Sequence, residues 1–195
     1  MKFAMKGAEI FVPDGTSEEQ ALARTTHLAI VAHPDDIEIL GAWPILECYQ
    51  RRDRYFTGVV LTDGRGSPRT GAYEQTSDEE MRQLRFEEQR KAARLGEYSA
   101  QVLLDYPSRV VQDGRVPAPS MDLVAILRSA RPQVVFIHNL ADKHDIHVAV
   151  ALRVISAIRT LPESARPRKL YGGGGLAQPR LADGQGQGSA GRLKA

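Results

Sequence analysis

An α/β sandwich, with a mostly parallel central sheet and helices on both faces, is the fold this sequence predicts. Two observations carry that reading. Short apolar runs alternate with longer amphipathic stretches along the chain, and strand-helix alternation of this kind builds parallel sheets. The 195 residues suit one domain with a real core and are too few for two comfortable ones.

The elements follow in order. Residues 28–32, Leu-Ala-Ile-Val-Ala, read as the first strand, and a helical pattern runs from about 36 to 52. Residues 58–61 form the next apolar run and end in Thr62-Asp63-Gly64, a turn signal. A loop with Gly, Ser and Pro leads to a charged helix over 77–95, where Ser77 and Glu80 have capping-box spacing. A strand at 101–104 precedes the Tyr106-Pro107-Ser108 turn. A helix at 121–130, stopped by Pro132, leads to a buried strand at 134–137 and a last helix at 146–158. No internal repeat is visible.

Charge is nearly balanced: 26 Lys plus Arg against 24 Asp plus Glu leave a net charge of +2. That balance gives no electrostatic reason to expect nucleic acid or an anionic membrane as partner. The run Arg51-Arg52-Asp53-Arg54 reads as a solvated face. The single cysteine, Cys48, excludes an internal disulfide and reads as a buried bystander. The N-terminus lacks an apolar signal core, and no run approaches the roughly 20 residues that span a bilayer. A soluble cytoplasmic protein is the expectation.

In open α/β sheets, sites form in the crevice beyond the carboxyl ends of the strands. The segments rich in His and Asp lie there: His33-Pro34-Asp35-Asp36 after the first strand, Asp63 after the second, and 138–147 after the fourth. Pro34 suits a first helical turn, which would place Asp35 and Asp36 near the positive end of the dipole. His33 and Asp36, three apart, can approach one metal, while Asp35 points elsewhere. The plain alternative is an ordinary helix entry. His144 and His147 share a face by the same spacing, and two such histidines are sometimes only a polar helix surface. One imidazole from this pair, with His33 and Asp36, completes the three-ligand set of a catalytic zinc with a position open for water. His138 stays undecided between pocket lining and structure, and Trp43, Tyr49 and His27 read as core or strand-edge residues.

At these residues the sequence resembles the N-acetylglucosaminyl-phosphatidylinositol de-N-acetylase (PIG-L/LmbE-like) family of zinc deacetylases. The signature Ala-His-Pro-Asp-Asp-x-Glu stands at 32–38. Thr62-Asp63-Gly64, Arg85-Phe86-Glu87-Glu88 with the following Ala92-Ala93 and Leu95-Gly96, and the paired histidines are also similar. The resemblance implies a three-layer Rossmann-like sandwich, LmbE-like, that hydrolyses the amide of an N-acetylglucosamine-type conjugate and releases acetate. It implies His33, Asp36 and His147 as ligands of Zn2+, with Fe2+ as another divalent ion that would suit. It makes Asp35 the general base and His144 the residue that steadies the tetrahedral intermediate. Arg85 would meet the substrate, or else pair with Glu87 or Glu88; Asp63 would line the pocket or make the turn. Self-association is common among relatives. One departure stands out: relatives often read His-Pro-Asp-His where this chain has His144-Asp145-Ile146-His147, so the acid has moved, and Asp142 or Asp145 would have to orient His144.

The domain is expected to cover 1–171. Residues 172–195 hold eight of the chain's 17 glycines and no aromatic or β-branched residue, a composition that does not repay ordering entropy, so a mobile extension is expected. A shifted reading frame is the other reading. One codon choice for 176–182, read one nucleotide later, spells Trp-Arg-Ser-Leu-Asp-Trp-Leu, which looks like the segment after Leu-Tyr-Gly in some relatives. Two further functions compete: a zinc-binding but catalytically impaired relative, and a metal-free small-molecule-binding α/β domain. No Gly-x-Gly-x-x-Gly or P-loop run supports the second.

Overall fold

The structure, a computed structural model, describes residues 1–173. Six strands form one sheet: β1 (Glu9–Phe11), β2 (His27–Val31), β3 (Phe56–Thr62), β4 (Ala100–Tyr106), β5 (Val134–His138) and β6 (Lys169–Gly173), in the order β1-β4-β3-β2-β5-β6. Only β1 is antiparallel to its neighbour, β4; the other pairings are parallel. The helices are α1 (Glu18–Ala23), α2 (Asp36–Leu40), α3 (Ala42–Cys48), α4 (Asp78–Leu95), α5 (Ser108–Gln112), α6 (Ala118–Ala130) and α7 (Asp145–Thr160). None among the described residues is long and apolar enough to cross a membrane.

Every residue of β2, β3 and β4 is buried, as parallel strands covered on both faces must be. Alternation along β2 splits the core. Leu28 and Ile30 join Leu22, Leu123, Ile126, Val150 and Val154 on one face. Ala29 and Val31 join Ile37, Phe56, Phe86, Tyr98 and Phe136 on the other. Gly58 lets α2 lie close on the second face, because a Cβ there would come within 2.6 Å of Ile37 Cδ1.

The chain moves from β2 through β3 to β4 in one direction and then returns to place β5 on the other side of β2. The switch point, where crevices form in such sheets, therefore lies between β2 and β5.

The expected strands are all present, and the charged helix starts at the expected capping box, with both reciprocal Ser77–Glu80 bonds formed. The single helix expected over 36–52 is instead two short ones that break at Gly41 and end at Cys48. Trp43 is 59% exposed and Tyr49 is also exposed, so neither is core; His27 is buried. β1, α1, α5 and β6 add to the expected elements. β6 runs through Gly172 and Gly173, the first two residues of the expected tail. The codon-shifted segment and the rest of that tail lie outside the described residues.

Candidate metal centre

The turn after β2 is built by contacts from both neighbouring strands. The Ala32 carbonyl accepts from the backbone N–H and hydroxyl of Thr62 at the end of β3. The Ala32 N–H donates to Nε2 of His138 at the end of β5, 2.9 Å away. Pro34 does not enter the helix; α2 begins at Asp36, so only Asp36 of the two carboxylates stands in its first turn. Asp35 precedes it with φ of 105°, a region that costs a non-glycine residue about 1–3 kcal/mol and persists only when neighbours hold it.

That turn aims three atoms at one point. Asp36 Oδ2 lies 3.2 Å from His33 Nδ1 and 3.5 Å from His147 Nε2, and the two ring nitrogens are 3.3 Å apart. Zinc with tetrahedral bonds of about 2.0–2.1 Å needs donor separations of about 3.3–3.4 Å. The triangle fits that requirement without rearrangement, and two nitrogens plus one carboxylate oxygen are donors zinc accepts. Burial opposes ionisation of Asp36, but the neighbouring His138 and His33, whose backbone N–H donates to Oδ2 at 2.8 Å, outweigh it and hold the carboxyl well below the usual range.

His147 is buried in the first turn of α7. Its Nδ1 lies 3.1 Å from Asp142 Oδ2, and Asp142 also accepts from the His144 backbone N–H at 3.0 Å. Burial raises the Asp142 pKa, yet these hydrogen bonds bring it below the ordinary carboxylate value. His144 is the N-cap of α7 and is exposed. Among the described residues no side-chain hydrogen bond holds its ring. Asp145 is exposed, and Ile146 points into the core. Asp142 thus serves the His147 ring, not the His144 ring.

His138, undecided from sequence, is fully buried at the switch point. Its ring stacks on that of His147 with centroids 3.9 Å apart, and burial depresses its pKa despite the opposing influence of Asp36. Because Nε2 accepts from Ala32, a neutral ring carries its proton on Nδ1, which is buried without a partner among the described residues. His138, Asp142 and His147 make a second grouping of possible donor atoms. The available signal was position, a histidine ending the strand beside the switch point.

A cleft of about 370 Å³ opens over the triangle, lined by His33, Asp35, Asp36, Thr62, Ser67, Arg85, Ser108, His144 and His147. Ser67 is a lining residue that sequence reasoning did not single out, and Thr62 and Ser108 were read there only as parts of turns. Arg85 reaches from α4 to the Pro34 carbonyl and the Asp35 carboxylate, and also pairs with Glu88 at 2.7 Å. Asp63 is buried, bonds Arg65 at 2.8 Å and is not among the lining residues. Glu38, the last position of the signature, accepts from Tyr98 and Gln89 and ties α2 to α4.

The family description "PIG-L: GlcNAc-PI de-N-acetylase" matches residues 28–158, which include every residue of the triangle. The chain belongs to this family. No curated protein matches it. Solved structures share the LmbE-like fold of this PIG-L chain. The conserved protein TT1542 from Thermus thermophilus superimposes with a TM-score of 0.62 at 23% identity, covering 77% of this chain and 66% of that one. The N,N'-diacetylchitobiose deacetylase from Pyrococcus horikoshii, complexed with its inhibitor MPG, gives 0.60 at 24% identity, covering 72% and 52%. GalB, the 4-carboxy-2-hydroxymuconate hydratase from Pseudomonas putida, gives 0.54 at 18% identity, covering 76% and 62%. The PIG-L chain thus spans about half to two-thirds of the length of these structures.

Proposed function

We propose that the protein is a zinc-dependent de-N-acetylase acting on an N-acetylglucosamine-type conjugate, with His33, Asp36 and His147 holding the ion. The single observation behind this reading is the donor triangle, whose edges of 3.2, 3.3 and 3.5 Å match a tetrahedral zinc site. Family membership supplies the reaction class, and the sugar-like substrate follows the family description.

When bound, zinc supplies Lewis acidity that polarises an amide carbonyl and brings the pKa of water towards about 7. The residues around it supply the rest. Asp35, which lines the same cleft as the three ligands, takes the proton from the attacking water and delivers it to the departing amine. His144, at the mouth of the cleft, donates to the developing oxyanion, a contribution typically worth about 2.7–4 kcal/mol. Asp142 accepts from Nδ1–H of His147 and so presents the Nε2 lone pair to the metal. Acetate and a primary amine leave.

The test is amine release from N-acetylglucosamine conjugates by the purified protein, before and after chelation and zinc restoration. Activity that survives complete removal of metal overturns the reading. One observation favours a second reading, a zinc-binding relative of low turnover: Ile146 fills a core position where relatives often carry the acid, so among the described residues no carboxylate supports the His144 ring. Stoichiometric zinc without amine release would select it. The hydratase among the structures of this fold shows that the fold alone does not fix the reaction.

A further inference from the structure

We infer that Arg85 is a positioning residue for the metal centre, holding the strained His33–Asp36 turn in its ligating shape. The inference rests on the reading of His33 and Asp36 as ligands.

Three observations carry it. First, the terminal nitrogens of Arg85 are committed to the protein. Nη2 donates both to the Pro34 carbonyl and to the Asp35 carboxylate, and Nη1 donates to Glu88. The side chain is only 17% exposed and its Nε is buried without a partner among the described residues, so little of the guanidinium is left for a ligand. Second, the turn it grips is the one that needs holding. Asp35 sits at φ 105°, where an L side chain is disfavoured, and the residues on either side of this dihedral lead directly to His33 and Asp36. One guanidinium nitrogen that fixes both the carbonyl before this residue and the carboxylate on it, itself held in place by the Nη1–Glu88 bond, clamps that conformation from both sides. Third, the surroundings are shaped for the arginine stem. Gly64, at φ +71°, would place a Cβ 3.0 Å from Arg85 Cβ and 3.2 Å from the Pro34 ring. The glycine of the Thr-Asp-Gly turn thus leaves the space in which the stem meets Pro34.

Release of this clamp lets Asp35 relax towards ordinary backbone angles, which rotates His33 and Asp36 out of their common geometry. The expected effect falls on metal affinity before it falls on any later step.

The experiment is zinc competition against a chromophoric chelator, on the full chain, for the unmodified protein, Arg85→Ala, Arg85→Lys and the pair Arg85→Ala with Asp35→Gly. Arg85→Ala should bind zinc about 10–100-fold more weakly, with the circular dichroism of the metal-free protein unchanged. Arg85→Lys, whose shorter side chain lacks the second nitrogen that Glu88 braces, should fall between. Glycine adopts positive φ without strain, so adding Asp35→Gly should recover most of the loss. A purely structural or substrate-contacting arginine would show no such recovery. Wild-type affinity in either single variant overturns the inference, as does a loss that Asp35→Gly leaves untouched. If Arg85→Ala fails to fold, the lysine variant carries the same test. An unmodified protein that binds no zinc overturns the ligand assignment itself, and this inference with it.

Discussion

The Asp142 carboxylate lies 3.1 Å from Nδ1 of His147, and this contact decides which nitrogen of that ring faces the site. A carboxylate only accepts, so the ring proton sits on Nδ1 and the Nε2 lone pair points at His33 and Asp36. Asp142→Ala should therefore weaken zinc binding by about 10–100-fold. Asp142→Asn, whose amide oxygen still accepts, should lose less. Chelator competition on the two variants checks the order.

Asp35 and His144 should affect turnover without emptying the site. Asp35→Asn should retain zinc and lose most activity, because the amide cannot take a proton. His144→Ala should lower kcat by less than about 100-fold, below the usual effect of an oxyanion donor, because no carboxylate among the described residues steadies its ring. Paired measurements of bound metal and kcat separate these effects. Normal activity in Asp35→Asn would end its assignment as the base.

Much of this arrangement was legible in the sequence, for identifiable reasons. Three strands have apolar centres and are buried on both faces, so residues 28–32, 58–61 and 101–104 announced themselves without alternation. Ser77 and Glu80 announced α4. The convergence of His33, Asp36 and His147 followed from one topological rule, since each lies beyond a strand's carboxyl end. Other features were hidden for physical reasons. Strand β1 has three residues and pairs with Gln101, Val102 and Leu103, too short a run to show a period, and β6 ends in glycines that read as breakers. Helix α1 carried a signal that went unused, Ser17 three residues before Gln20, and Ser17 does accept from the Gln20 N–H. The positive φ of Asp35 and the Arg85 clamp are tertiary effects that no local pattern encodes, and the partner of Asp142 depended on how α7 is rotated.

Arg153 on α7 offers a test of the scaffold away from the site. Its buried guanidinium donates to the carbonyls of Val110, Val111, Asp113 and Val116 and to Ser120 Oγ, which fixes the segment after β4. Arg153→Met keeps much of the bulk and strands these acceptors. It should destabilise the protein by about 2–4 kcal/mol, read as a lower urea midpoint.

Cys48 should be inert in the folded protein. It is 7% exposed, and burial pushes its thiol up from 9.0 to about 11. At pH 8 a disulfide reagent should react slowly with native protein and at once after denaturation. The sign of the linkage follows: the unfolded thiol ionises first, so this group's contribution to stability is full below pH 9 and is lost as pH rises to about 11. A Cys48→Ala variant should show a shallower loss of stability across that interval.

Metal content after zinc loading and desalting tests the centre most directly, in the unmodified protein and in His147→Ala side by side. The expected result is about one zinc ion per chain in the first and almost none in the second, with matching circular dichroism. Zinc retained equally by both, or absent from a folded unmodified protein, would contradict the assignment of His33, Asp36 and His147 as its ligands.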